Sequence, residues 1–343
     1  MTTLTSPGFI GQLTASRSRR RFVRGLKGAT SWALRMLAIV VPVFLFATFV
    51  TYSLGAISGH SPAALKLGDS ATPQAVAALN AQYGLDKPLG ARYLDWLGAL
   101  LHGDLGTSWF NGLPIAPQLV ERLGISLSIA GFALVIGVTG GFALGLLATV
   151  KRGTLIDRLV TGFASLIATI PPFVASIGLI LVFCVTLRWL PSAGYVSPTV
   201  NFGQWLTLIT LPAIALSLDT VAEIARQLRA GLVSAYDENY VTGAVVRGFS
   251  DRRVLFSHVL RNGSGPAIAV IGMRAPALLG GAVVTESIFG MEGFGRFGSE
   301  SALRGDVPTV QAVLVVGIVL VLAFNLLVNG LLTRLVPASR RGI

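Results

Sequence analysis

The chain reads as an all-α integral membrane protein with six transmembrane helices, and three observations lead there. Hydrophobic residues make up 53% of the 343 residues and charged residues only 12%, with a mean hydropathy of +0.72. That leaves too little polar surface to cover a soluble domain of this length. Apolar runs recur at 33–58, 126–150, 159–187, 205–224, 267–289 and 310–335, each matching the roughly 20 helical residues that cross a hydrocarbon core. Forty glycines suit helices in lipid, where small residues let backbones approach closely.

Residues 1–32 form a basic N-terminal segment, with Arg17, Arg19, Arg20, Arg21, Arg24 and Lys27 and no acid. Ser18-Arg19-Arg20-Arg21-Phe22-Val23 resembles a twin-arginine export signal. The apolar run that follows exceeds the roughly 7–15 residues of a signal peptide, so 33–58 is read as an uncleaved first span. Residues 59–120 are mixed in character and carry Pro62, Pro73, Pro88, Pro114 and Pro117, as expected of a small folded segment outside the membrane. The core, 121–337, holds the other five spans, and 338–343 is a short tail. Pro171-Pro172 falls within the third span and should kink it, because neither ring nitrogen donates and each ring crowds the preceding turn.

Lys and Arg distribution sets the expected orientation. With the N-terminus in the cytoplasm, the inner segments hold seven (1–35), three (151–158), six (226–261) and three (334–341), nineteen in all, against six in the outer loops. Both termini and the stretch 237–262 are then cytoplasmic, and 59–120 is external.

No catalytic constellation is present at local spacing. His60, His102 and His258 are scattered, the single cysteine Cys184 has no partner within the chain, and no Gly-rich loop ends in Lys-Ser/Thr. These patterns give no zinc site, no catalytic triad, no disulfide and no nucleotide cradle. Basic residues flank apolar spans without interleaved aromatics, which argues against nucleic acid. Gly293-Phe294-Gly295-Arg296 follows a span and reads as an outer turn.

Ionisable groups inside spans are costly and therefore candidates for function. Asp219 and Glu223 lie one helical turn apart in the fourth span, with Arg226 and Arg229 positioned for local pairing near the inner surface. Arg274 is deeper in the fifth span, facing other helices or water. Glu286, at the outer end of that span, is placed to reach the interface.

Between the fourth and fifth spans lies Asp237–Asn262, DENYVTGAVVRGFSDRRVLFSHVLRN. Tyr240–Arg247 reads as a helix stopped by Gly248 in a left-handed conformation. Ser250 reads as the N-cap of a second, amphipathic helix with Val254, Leu255, Val259 and Leu260 on one face. The pattern allows a solvated loop that only sets topology, or a docking surface for a partner.

This stretch resembles the EAA loop of ABC-importer permeases of the dipeptide/oligopeptide/nickel type. Tyr240, Val241, Ala244, Gly248, Ser250, Arg252, Arg253, Val254, His258, Leu260, Arg261 and Asn262 match, while Thr242-Gly243 and Val245-Val246 depart from the family's Arg-Thr and Arg-Ala. The resemblance extends to Tyr83–Leu89, His102–Ser108, Arg188–Tyr195, Leu211-Pro212-Ala213 and Gly280–Val284 with Glu286, and covers about residues 33–337. It implies a type I ABC importer permease fold with an external segment after the first helix and a cytoplasmic coupling helix. The implied partners are a second homologous permease, two ATP-binding subunits that hold ATP and Mg, and an external substrate-binding protein. Under this resemblance Tyr240, Ala244, Arg247, Gly248, Phe249, Arg252, Arg253 and Arg261 couple to the ATPase. Asp219, Glu223 and Arg274, where the family is usually apolar at the two acids, are candidate pathway residues or intramembrane pairs. A secondary transporter using these charges is the rival reading, although no repeated halves are visible.

Overall fold

In a computed structural model of the chain, Met36 and residues 38–55 and 61–335 are described. The basic N-terminal segment and the tail lie outside them. Two compact units divide at Ser58. The first contributes α1 (Ala38–Gly55), an apolar helix of mean hydropathy 2.0. Its Thr48, Thr51 and Ser53 hydroxyls donate to the carbonyls of Phe44, Ala47 and Phe49, each at 2.8 Å. An apolar span can carry such side chains because their donors are satisfied within the helix itself.

The second unit begins with α2 (Pro62–Leu67) and α3 (Pro73–Gln82). Each starts on proline, where the missing N–H costs nothing, behind a Ser61 or Thr72 hydroxyl that caps the third residue on. After α4 (Leu89–Leu101), the chain is pinned by Asp306, which is 3% exposed. Its carboxylate accepts from Ser108 Oγ at 2.5 Å, Thr309 Oγ1 at 2.7 Å and the Trp109 N–H at 3.0 Å. A buried carboxylate with three donors is stable there.

The second span is α5 (Ile115–Val150), which starts well before the apolar run that begins at Ser126. Its polar first turns are supported by protein: the Arg122 guanidinium sits 4.3 Å from the Phe297 ring centroid and 3.3 Å from Glu292. The third span departs more from expectation. The helix stops at Ile167 instead of bending, and α6 (Leu155–Ile167) and α7 (Pro172–Leu179) meet at 102°. Pro172 begins α7, where its missing N–H costs no helical hydrogen bond. A π-helical turn, Ile180–Thr186, extends α7.

Next comes α8 (Phe202–Tyr236), which overruns the apolar 205–224 stretch at both ends. It is the central helix, packed along α5 over much of its length. At this seam a Cβ on Gly141 would lie 2.6 Å from Ile224 Cβ, and one on Gly145 2.8 Å from the Ala225 carbonyl. Only a missing side chain permits that approach. α9 (Asn239–Val246), α10 (Asp251–Val254) and α11 (Leu260–Gly263) lie in the following loop, before α12 (Gly265–Ile288), α13 (Phe294–Leu303) and α14 (Val307–Leu335). Ile129, Ala133, Ile209, Ala213, Leu278 and Ala282 knit α5, α8 and α12 into one core. Among the described residues, five helices are each long and apolar enough to cross a membrane, and α6–α7 makes a sixth span if the bent pair is counted as one.

Glu286 corrects the sequence reading. Instead of reaching an interface it is 0% exposed, and it accepts from the Ser126 hydroxyl and from the Arg296 N–H at 2.9 Å. Ser126 Oγ in turn accepts from the Phe294 N–H at 2.8 Å. The carboxylate therefore caps α13, and the glycines of 293–296 allow it in: a Cβ on Gly293 would stand 2.2 Å from the Glu286 carboxyl carbon. Glu286→Ala should destabilise the solubilised protein by about 2–4 kcal/mol, since it strands buried donors at about 1–3 kcal/mol each. Thermal unfolding in detergent measures this, and Glu286→Gln, which keeps one acceptor, should lose less.

Candidate functional site: the loop between the two central spans

The loop is built as a rigid bracket. α9 ends at Val246 with Arg247 as its C-cap, and Gly248 follows at φ +79°. The Gly248 N–H donates to Val245 O at 2.9 Å and the Phe249 N–H to Ala244 O at 3.2 Å, the two bonds of a Schellman motif. Ser250 occupies the N-cap position as expected, but its side chain makes no capping bond. The second helix is composite: α10, a π-helical turn at Leu255–Val259, then α11.

One side of the bracket is buried. Val241, Ala244, Val254, Leu255 and Val259 pack with Ile224, Leu228 and Leu232 of α8 and Ala267 and Val270 of α12, with Tyr240 against the same cluster. α11 meets α8 backbone to backbone, where a Cβ on Gly231 would lie 2.1 Å from Gly263 O. The other side is open: Val245, Val246 and Phe256 are 54%, 82% and 55% exposed, ringed by exposed Arg247, Arg252, Arg253 and Arg261. Between the two sides Phe249 stacks on His258 at 5.9 Å and 4°, and the Arg253 guanidinium lies 4.3 Å from the Phe249 centroid. The ring orients that cation by a cation–π contact.

Of the eight residues singled out from the sequence, Tyr240 and Ala244 thus face the seat, Phe249 bridges, and the four arginines and Gly248 lie on the open face. Sequence reasoning missed Phe256, because exposure in an apolar chain has no compositional mark, and had marked Val245-Val246 only as departures from the family pattern. It also missed Gly231 and Gly263, whose signal was available as small residues flanking the loop.

The intramembrane charges pair differently from expectation. Glu223 does pair with Arg226, and accepts from Gln227 Nε2 at 3.1 Å. Arg229, however, reaches away from Asp219 to α6, where it donates twice to Asp157 at 2.6 and 2.7 Å. Asp157, 4% exposed, also accepts from the Gly153 N–H at 3.0 Å. Asp219 pairs across helices with Arg274. Asp219, ten residues back, is about 15 Å from Arg229 at the helical rise, whereas Asp157 takes the guanidinium in bidentate geometry.

The family model described as binding-protein-dependent transport system inner membrane component matches residues 141–341, and the N-terminal model of the same kind of component matches residues 31–130. The chain belongs to this family. The permease is 32% identical over 309 residues to a probable peptide ABC transporter permease of Sinorhizobium fredii, covering 90% of this chain and 99% of that protein. It is 34% identical to a putative peptide transport system permease of Brucella abortus (91% and 99% covered) and 31% identical to the dipeptide transport system permease DppB of Escherichia coli K12 (86% and 94%). In fold it is similar to the MetNI methionine ABC transporter in an inward-facing conformation, with a TM-score of 0.52 at 15% identity over 64% of this chain and 96% of the other. It is a multi-pass membrane permease of an ABC transporter, which works with partner subunits.

Proposed function

We propose that this permease is one of two membrane subunits of a peptide-class ABC importer and that its 237–262 loop couples it to an ATPase. The observation that carries the coupling half is the bracket: a surface of exposed valines, phenylalanine and arginines, seated without slack on α8 and α12. Such a surface suits an apolar groove with acidic margins on a partner. Arg247, Arg252, Arg253 and Arg261 make the charged contacts, Gly248 and Phe249 hold the turn, and Tyr240 and Ala244 fix α9 to its seat. Closure of an ATPase dimer then moves the two spans as rigid bodies.

The peptide half draws support from the names of relatives aligned along about nine-tenths of the chain. The remaining partners are a second homologous permease, two ATP-binding subunits that hold ATP and Mg, and an external substrate-binding protein. The nineteen-to-six bias of Lys and Arg supports a bacterial inner-membrane orientation with the loop and both termini in the cytoplasm. A nickel or glutathione importer of the same family is the second reading, since selectivity in such an assembly rests largely on the external binding protein. The test is reconstitution in liposomes. Import of a labelled tripeptide is expected only when both permeases, the ATPases, the binding protein and Mg-ATP are all present; import by this chain alone would refute the reading.

A further inference from the structure

We infer that Asp219, Glu223, Arg226 and Arg274 form a charged strip lining the aqueous path, and that it supplies fixed counter-charges to a zwitterionic solute in transit. This rests on the peptide-importer reading and adds a place and a chemistry to it. Asp219 lies midway along α8, between Phe202 and Tyr236, and inside the apolar 205–224 run, so its carboxylate belongs to the membrane-spanning part of the helix. The Asp219 and Arg274 side chains are 38% and 32% exposed. Their ion pair uses one guanidinium N–H and one carboxylate oxygen. The other Asp219 oxygen and the remaining N–H groups of Arg274 have no partner among the described residues. One turn further along α8, Glu223 and Arg226 repeat the arrangement at 19% and 41% exposure.

Lipid is a poor neighbour for this face, because half-satisfied charges within a span are unfavourable in hydrocarbon. Elsewhere among the described spans, charge is closed off or peripheral. Glu286 is fully buried as a helix cap, Asp157 is buried against Arg229, and Arg122 lies in the first turns of α5. Among the described spans, the exposed charge away from the helix ends thus lies on α8 and α12.

A peptide with free termini presents an ammonium and a carboxylate, and moving these through a low-dielectric wall requires compensation at each step. The strip provides it in both signs: Asp219 and Glu223 receive the ammonium while Arg274 and Arg226 receive the carboxylate. Because its two acids and two bases balance, the strip suits solutes whose own charges balance.

The complete transporter, reconstituted with its ATPases and binding protein, tests this with two readouts. In a Cys184→Ser background, Ala277→Cys places a thiol one turn from Arg274 on an exposed position of α12. A membrane-impermeant cationic methanethiosulfonate should modify it, and free tripeptide should slow the modification. Phe163→Cys, exposed on α6, is the comparison position. Second, Asp219→Asn with Arg274→Gln keeps a hydrogen-bonded pair but removes both charges. Tripeptide import per ATP hydrolysed should fall at least about tenfold, the size expected for a lost charge-assisted contact, with binding-protein-stimulated ATPase activity retained. An unreactive thiol at 277 in every nucleotide state, or full import in the double variant, would show the pair to be a structural tie to the second permease and overturn the inference. Failure of the unsubstituted complex to import tripeptide would instead overturn the peptide reading, whatever the thiol reports.

Discussion

Gly263→Ala is expected to dismantle the coupling bracket. The added methyl would meet Gly231 O at 2.7 Å and the Gly231 carbonyl carbon and Leu232 Cα at 2.9 Å. All three are backbone atoms of the central helix, so none can rotate away. Overpacking of this kind costs typically about 1–3 kcal/mol, and here it falls on the one place where α11 touches α8 backbone to backbone. The expected result is a chain that still inserts, since the apolar spans are untouched, but that no longer retains ATPase subunits on affinity purification. Gly243→Ala is the control: nothing lies within 4 Å of the added atom and the residue is helical, so the change should be silent to within about 0.5 kcal/mol. Equal ATPase retention in both variants would remove the glycine contact from the account.

Gly248→Val should have the complementary effect, sparing assembly while uncoupling transport. There is open space around Gly248, and the obstacle is its backbone at φ +79°, a conformation that costs an L-residue about 1–2 kcal/mol and more when the side chain branches at Cβ. The chain will leave the left-handed region, which breaks the two Schellman bonds and displaces Phe249 with the Arg253 it orients. We expect peptide import to drop more than about tenfold, the factor that corresponds to about 1.4 kcal/mol, with the complex still intact on gel filtration. Gly248→Asp should act in the same direction, and Gly248→Asn, which tolerates this backbone region, should act least. Full transport with valine at 248 would dissociate the turn from coupling.

Much of this was legible in the residues because local rules governed it. The stop at Gly248, the inward face of Val254, Leu255 and Val259, and the disruption at Pro171-Pro172 each follow from one residue's conformational preference or from helical spacing. Long-range choices were not legible. Arg229 pairs with Asp157, seventy-two positions away, because Asp219, ten residues back on its own helix, is about 15 Å off at the helical rise. Glu286 looked like an interfacial acid until the fold brought the start of α13 over it, and Asp219 gained Arg274 only through the crossing of α8 and α12. In each case the decision lay in geometry between helices, to which neither hydropathy nor periodicity responds. The lengths of α5 and α8 were underestimated for a related reason: their ends carry polar residues, so hydropathy falls before the helix does.

The glycine seam along α5 and α8 has a mechanical consequence. At 1.5 Å per residue, the 35 residues of α8 make a rod roughly 50 Å long. Clasped at Gly141 and Gly145, α5 must swing with it. The coupling bracket is fastened to one end of this rod and Asp219 stands at its midpoint. A tilt of about 5° at the bracket therefore sweeps the far end through about 4 Å and the Asp219 carboxylate through about 2 Å, given that rod length. Because Leu278 and Ala282 of α12 share the core with Ile209 and Ala213 of α8 and with Ile129 and Ala133 of α5, a tilt of this rod carries all three helices together as one lever.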